Sequence, residues 1–138
     1  MSLFNIMAVS GSSLEAQGLR LNTIASNLAN ANSVAGSERD AYRARLPVFE
    51  TVYRGAAGER GASAGVRVRG VVESALPPRQ EYDPGHPLAD PEGYIYRPQI
   101  DAVDEMANMI AASRAYQNSV QTMNTAKQLM LRTLTLGR

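Results

Sequence analysis

The sequence predicts a mainly α-helical protein with a small β insert: long N- and C-terminal helices packing as a coiled-coil-like pair, and a short-stranded β/loop segment between them. Three observations lead there. All seven prolines fall between Pro47 and Pro98 and eight of the eleven glycines between Gly36 and Gly93, so the helix breakers are confined to the middle. Apolar residues recur at helical intervals on both sides of that middle. Within it, two short segments alternate apolar and polar residues, the period of a strand. The expected division is an N-terminal helix at 1–34, a β/loop insert at 35–98 and a C-terminal helix at 99–138, the two helices together making one core domain.

In the first helix Met7, Leu14, Leu21 and Leu28 stand seven apart, and Leu3 and Ile24 share the adjoining d-type positions with Ser10, Gln17 and Ala31. The seam is apolar but interrupted. Gly11, Gly18 and Ala25 run beside it, and glycine inside a helix costs about 0.5–1 kcal/mol relative to alanine. Close approach of a partner helix along that groove is the expected compensation. At the end of the helix, "ASNLANANSVAG" sets Asn27, Asn30 and Asn32, weak helix formers, around Leu28. Something besides propensity must hold this turn, and Asn32, Ser33 and Gly36 then release the chain into the insert.

In the insert, "YRARLPVF" alternates up to Pro47, and "GVRVRGVVES" sets Val66 and Val68 against Arg67 and Arg69. Both read as short strands. The "GAAGERGASAG" between them reads as a turn or loop, and it lacks the ending and following helix of a phosphate-binding loop. "PPRQEYDPGHPLADPEGYIYRP" is too rich in Pro, Gly and Asp for regular structure, apart from a brief strand at "YIY".

The last part, Gln99 to Leu136, contains neither Gly nor Pro and would span roughly 57 Å if fully helical. Met106, Met109, Ser113, Tyr116, Val120, Met123, Lys127, Met130 and Leu134 alternate three and four apart, an a/d row. Asp101, Asp104 and Glu105 open the run and Arg132 lies near its close, the order the helix macrodipole favours. Gly137 is a natural stop.

A helix that faces water usually carries Lys, Glu and Arg on its outer side. From Ser113 to Thr135, eleven of 23 residues are instead Ser, Thr, Asn or Gln and only three are charged. The first helix likewise displays Ser12, Ser13, Asn22, Thr23, Ser26 and Asn30. Such faces suit packing against other chains, or lining a neutral polar surface. Periodicity alone favours an ordinary antiparallel helix pair within a monomer, and the outer faces shift that balance. Two long helices joined by a small insert have little core of their own, however, and self-association is the direct way to bury two seams.

Composition excludes several function classes. Fourteen basic and thirteen acidic residues leave no electrostatic footprint for nucleic acid or an acidic membrane. The absence of cysteine removes disulfide, thiolate-zinc and cysteine-nucleophile chemistry. "MSLFNIMAVSGS" lacks a basic n-region and no run approaches 18 apolar residues, so neither a conventional signal peptide nor membrane insertion is expected. One histidine permits at most a Ser/His86/Asp set or a carboxylate pair. Asp83 and Asp90 lie near His86 in "DPGHPLAD", which keeps a hard-cation site and a small metal-dependent hydrolase as an alternative. The other reading is a rigid polar loop docked on a neighbouring surface. The expectation is a protein without catalysis or cofactor, and an unrelated self-assembling helical adaptor is a further alternative.

"MSLFNIMAVSGSSLEAQGLRLNTIASNLANANS" resembles the N-terminal signature of bacterial flagellar rod and hook proteins. "HPLADPEGYIYRPQIDAVDEMANMIAASRAYQNSVQTMNTAKQLMLRTLTLG" is similar to the C-terminal part of proximal rod members of that family. The two stretches cover about 85 of 138 residues. The resemblance implies an axial structural protein of the basal body. It would be exported by the flagellar type III apparatus without a cleaved signal and polymerised into the rod that spans the periplasm, around a central channel. It implies termini that fold on assembly, with the C-terminal helix toward the channel and the N-terminal helix outside it. The implied partners are other copies of the chain, other rod proteins, junction and ring proteins of the basal body, and the export apparatus. By residue, it assigns Leu14, Leu21, Ile24 and Leu28 to one packing seam, with Asn27 and Asn30 in the motif at its end. Met106, Met109, Tyr116, Val120, Met123 and Met130 form the partner seam, and His86, Asp90 and Tyr94 an inter-subunit loop.

Overall fold

The computed structural model describes residues 3–54 and 63–136. Their order is α1 (Leu3–Asn30), β1 (Arg45–Arg54), β2 (Ser63–Glu73), β3 (Arg79–Tyr82), β4 (Tyr94–Arg97) and α2 (Ala102–Leu136). Two long terminal helices with a small β segment between them are thus present as expected. The strands form two two-stranded sheets, β1–β2 and β3–β4. Most of the glycine-rich loop and the expected stop at Gly137 lie outside the described residues. No helix among the described residues is long and apolar enough to cross a membrane.

Contacts divide the chain into two compact units that cut across the helices. The first comprises Met1–Leu21, Val48–Gly70 and Ala111–Arg138. Here the outer parts of α1 and α2 lie side by side. Ser13 and Ser119 hydroxyls meet at 2.9 Å, and a Cβ at Gly11 would lie 3.8 Å from Met123 Cε. Ser119 donates its own proton to the Ala115 carbonyl at 3.0 Å, so Ser13 is the donor between the helices. The side chains buried most fully in this unit, Ser10, Ala16, Ala112 and Ala126, are all small. Strand β2 docks on α1 through a relay in which the Val66 N–H donates to Ser12 Oγ at 3.2 Å and Ser12 donates to the Val9 carbonyl at 2.8 Å. Gly65 allows this approach, since a Cβ there would stand 3.2 Å from Ser12 Oγ. Arg67 Nε reaches Glu50 at 2.6 Å on the exposed side.

The second unit comprises Asn22–Pro47 and Val71–Ile110. β3 and β4 are antiparallel, with Arg79 opposite Arg97, Gln80 opposite Tyr96, Glu81 opposite Ile95 and Tyr82 opposite Tyr94. Two arginines face to face repel. Glu81 lies 3.0 Å from Arg97 and 3.9 Å from Arg79 and offsets that repulsion. Ala35 pairs with Tyr96 through both backbone groups at 2.9 Å, so the chain leaving α1 extends this sheet by one residue. Ile95, 0% exposed, is the apolar centre of the unit, with Ile24 and Ala41 also buried.

Several boundaries differ from expectation. β1 continues through Pro47 to Arg54, which a two-stranded sheet tolerates because each strand has a free edge that needs no N–H from proline. β3 forms within the stretch expected to be irregular, because the Pro, Gly and Asp residues flank "RQEY" rather than interrupt it. α2 starts at Ala102, with Asp101 as its cap: Asp101 Oδ1 accepts from the Val103 N–H at 2.8 Å and the Asp104 N–H at 3.4 Å. The expected glycine groove is not used within the chain. A Cβ added at Gly18 would meet nothing within 4 Å, and the Gly11 contact is an ordinary van der Waals distance.

Candidate functional site

On α1 the predicted leucine row is unfinished. Leu14, Leu21 and Leu28 are only half-buried, whereas Ser10, Ala16, Thr23, Ile24 and Asn27 are the buried positions. Small and polar side chains therefore occupy the inner line of α1, and the larger apolar ones stand at its margin. Ile24 is the exception, buried as its d-type position predicts.

On α2 the most buried positions are Ala112 and Ala126, with half-buried Ser119 midway between them. Met109, Met123 and Met130 lie on the same face and are half-buried, Tyr116 is 38% exposed, Val120 is half-buried and Met106 is exposed. The inner line thus runs through small residues, one position away from the Ser113, Val120 and Lys127 line that periodicity predicts. Alanine and serine at the contact bring helix axes closer than methionine would. Val103, Ile110, Leu129, Leu131 and Leu134 remain exposed, as does Phe4 on α1 at 75%. A groove of ≈ 400 Å³ opens between Leu3 and Ile6 on one side and Gln121, Thr125, Ala126 and Leu129 on the other.

Between Gln117 and Gln128 the outward face of α2 is polar with a single charge, Lys127, and exposed Arg114 and Arg132 stand at either end of it. Gln117, Asn118, Gln121, Asn124 and Gln128 are exposed. The hydroxyls of Thr122, Thr125 and Thr133 donate to carbonyls four residues back at 2.8 to 2.9 Å. Their protons are engaged by their own helix, so this face offers mainly methyl groups, lone pairs and amides.

The asparagine-rich turn is explained by side-chain bonding. Asn27 is 1% exposed. Its Oδ1 accepts from the Arg45 N–H at 2.8 Å and the Tyr42 hydroxyl at 3.0 Å, and its Nδ2 donates to the Arg45 carbonyl at 3.0 Å. Because Arg45 N–H can only donate, the atom facing it must be the oxygen, which fixes the amide orientation. With the Tyr42 proton directed to Asn27, Ser26 donates to Tyr42 Oη at 3.1 Å. The Arg45 guanidinium lies 5.8 Å from the centre of the Tyr42 ring. Asn30 instead donates to the Ser26 carbonyl at 2.8 Å, and its own carbonyl is capped by the Ser33 N–H and hydroxyl at 3.0 and 2.8 Å. Asn27 is therefore engaged within its own chain, and Tyr42 and Arg45 are functional neighbours that sequence reasoning missed. No sequence signal marks a backbone as the partner of a side chain 18 residues away.

The loop between β3 and β4 carries His86 and Asp90, and Tyr94, bonded to Asp90, opens β4. Asp90 Oδ1 accepts from the Glu92 N–H at 2.9 Å and the Tyr94 N–H at 2.8 Å, and Oδ2 accepts from the Tyr96 hydroxyl at 3.3 Å. His86 Nδ1 accepts from the Leu88 N–H at 3.1 Å. Tyr94 packs edge-on against Tyr82, with ring centres 5.3 Å apart. Gly93 has φ +86, and a Cβ there would lie 2.9 Å from the Tyr82 ring. Asp90 and His86 thus build the loop with their polar atoms. Among the described residues no group of three His, Cys, Asp or Glu side chains is placed to hold a metal ion. Apart from the Glu81–Arg97 ion pair, two side-chain acceptors, Gln17 Oε1 and Glu105 Oε2, are buried with no hydrogen-bond donor among the described residues.

Comparison with known proteins agrees at both ends. Residues 7–36 match a family model described as "Flagella basal body rod protein", and residues 92–136 match "Flagellar basal body rod FlgEFG protein C-terminal". The chain is 49% identical to proteins named "Flagellar basal-body rod protein FlgC" from Escherichia coli O6:H1 and from Salmonella typhimurium, over the whole of both chains. It is 34% identical to a protein of the same name from Buchnera aphidicola subsp. Schizaphis graminum, over 99% of both.

Proposed function

Because the chain belongs to the FlgC family of flagellar basal-body rod proteins, structural components of the basal body, we propose that it is exported by the flagellar type III apparatus and polymerises into the proximal rod. There it packs around the central export channel and transmits torque. Its neighbours are other copies of the chain, other rod proteins and the junction and ring proteins. The two helices make one axial core with coiled-coil-like packing, the β/loop insert joins them, and the outer helical parts complete their folding on assembly. Leu14, Leu21, Ile24 and Leu28 contribute one seam, and Met106, Met109, Tyr116, Val120, Met123 and Met130 the other. Asn27 and Asn30 hold the turn at the end of the first seam, and the loop carrying His86, Asp90 and Tyr94 makes inter-subunit contacts.

The observation that carries this reading is the state of the helical faces in a single chain. The inner contact of the first unit is made of alanine and serine, while Phe4, Leu129, Leu131 and Leu134 stay exposed. Burying a Leu or Phe side chain contributes about 1.5–3 kcal/mol, which a neighbouring chain supplies where the single chain does not. The sparsely charged polar face of α2 suits a channel wall, because a passing unfolded chain finds few charged points of attachment there.

Complementation of a strain lacking its own copy of this rod protein tests the reading. Leu14→Ala and Leu21→Ala are expected to abolish or sharply reduce motility while the subunit is still secreted, and Asn22→Ala, at an exposed position of the same helix, to leave it intact. Equal motility of all three variants would overturn the seam assignment.

A further inference from the structure

We propose that the subunit folds in two stages divided inside its helices rather than at their ends, with Asn27 as the latch that keeps the inner stage folded before any partner is present. The inner stage consists of residues 22–47 and 71–110, including the last turns of α1 and the first turns of α2. The outer stage is the remainder of both helices with residues 48–70.

The two units differ in what they bury. The inner one has Ile95 and Asn27, the largest side chains that are fully buried, together with Ile24, Thr23 and Ala41. The outer one buries only alanine and serine to that degree among the described residues. Small side chains contribute little to a hydrophobic core, so the outer helices depend on further contacts and the inner ones do not. The inner unit also has its helix ends satisfied. Ser33 caps the Asn30 carbonyl, and Asp101 caps the amides of α2.

Asn27 ties these pieces together. Its amide meets Arg45 as a neighbouring strand would, donating to the carbonyl and accepting from the N–H of one residue. A helix supplies this pairing only when residue 27 is already helical and correctly turned, so formation of the last turns of α1 and the start of β1 are coupled. The same oxygen holds Tyr42, and Ala35 joins β4 between them in sequence. The segment from 31 to 45 is thereby closed as a loop with both ends fixed, which is cooperative by construction. This inference rests on the reading that the outer helical parts complete on assembly, and it adds where completion begins and what stops unfolding there.

Hydrogen exchange by mass spectrometry on the full-length free subunit, at a concentration where it is monomeric, tests the proposal. Residues 22–30, 94–97 and 102–110 are expected to exchange at least about tenfold more slowly, relative to an unstructured chain, than residues 3–21 and 111–135. In Asn27→Asp an oxygen faces the Arg45 carbonyl in place of a donor. That variant is expected to speed exchange of 22–30 and of the Arg45 amide by about ten- to a hundredfold, the effect of one or two unsatisfied buried groups. Tyr42→Phe, which removes the hydroxyl that donates to Asn27 and accepts from Ser26, is expected to give a several-fold change at the same amides, and Asn30→Ala, which loses only a bond to its own helix, at most about twofold. Uniformly fast exchange overturns the proposal and leaves the assembly reading standing. Uniform protection of both helices overturns the boundary and that reading together. Unchanged protection of 22–30 in Asn27→Asp overturns the latch.

Discussion

Asn27, on the last turn of α1, pairs with both the N–H and the carbonyl of Arg45. A side chain thereby takes the place of an edge strand, and a helix rich in weak formers gains a tertiary anchor that propensity does not provide. Removing it leaves the Arg45 groups and the Tyr42 hydroxyl without their partner. Asn27→Ala is therefore expected to destabilise the free subunit by about 2–3 kcal/mol, at 1–3 kcal/mol per unsatisfied buried group with some relief from water. Asn30→Ala is the matched comparison, because its amide bonds only to its own helix. Its expected cost is under about 0.5 kcal/mol. Urea unfolding of both variants checks the difference, and equal midpoints would remove the anchor role.

Three glycines are expected to respond to alanine with different signs. Gly93→Ala meets a positive φ and the Tyr82 ring 2.9 Å from the new Cβ, and is expected to cost more than about 1–2 kcal/mol. Gly36→Ala would set a methyl 2.9 Å from the Leu88 carbonyl oxygen, so the loop must shift and stability falls as well. Gly18→Ala meets open space on a helix and favours helicity by about 0.5–1 kcal/mol. Far-UV circular dichroism of the free subunit is expected to show that gain. If assembly brings a partner helix against Gly18, the same variant loses motility, and a variant that gains both helicity and motility would argue against close approach there.

Asp90 organises its loop through two backbone amides and one phenol. Asp90→Asn keeps an oxygen for the Glu92 and Tyr94 amides and turns a donor toward Tyr96 Oη. It is expected to cost less than about 1 kcal/mol, and Asp90→Ala about 1–2 kcal/mol, since bonds to a charged acceptor are worth more than neutral ones and this site is partly exposed. Limited proteolysis within residues 83–92 reads the difference directly. Equal cleavage of the two variants would show that the carboxylate does not hold the loop.

How much of this is legible in the sequence depends on the range of the interaction. The helices are readable because their apolar spacing and the confinement of proline to residues 47–98 are local signals. Asp101 is readable in kind, as an acidic residue at a helix start, although its side-chain bonds to the first amides are not. The inner face of α2 is displaced by one position because periodicity counts methionines and leucines, whereas the contact selects Ala112, Ser119 and Ala126 for their size. β3 escapes notice because four residues flanked by prolines carry little pattern, and its pairing with β4 is a long-range fact. The role of Asn27 lies beyond reach for the same reason. Its composition signals a poor helix, and only the chain's return at Arg45 shows what compensates.

The glutamine-rich stretch of α2 between Arg114 and Arg132 yields the last expectation. Gln117, Gln121 and Gln128 are exposed, and the neighbouring threonine hydroxyls donate to their own helix. Replacing two of these glutamines by lysine, as in Gln121→Lys with Gln128→Lys, touches no buried side chain and keeps good helix formers in place. Stability of the free subunit is therefore expected to stay within about 0.5 kcal/mol of the parent. In the assembled rod each added charge would repeat around the wall, giving a concentrated field in a narrow passage and attractive points for carboxylates of a passing chain. The expected result is a rod that still assembles but supports slower secretion of proteins exported later, with the defect relieved by raised salt only where solvent reaches the wall. Quantifying those proteins in the culture medium checks it. Normal secretion through rods shown to contain the doubly substituted subunit would mean that this face does not line the channel, and loss of the rods themselves would place it at an interface between chains instead.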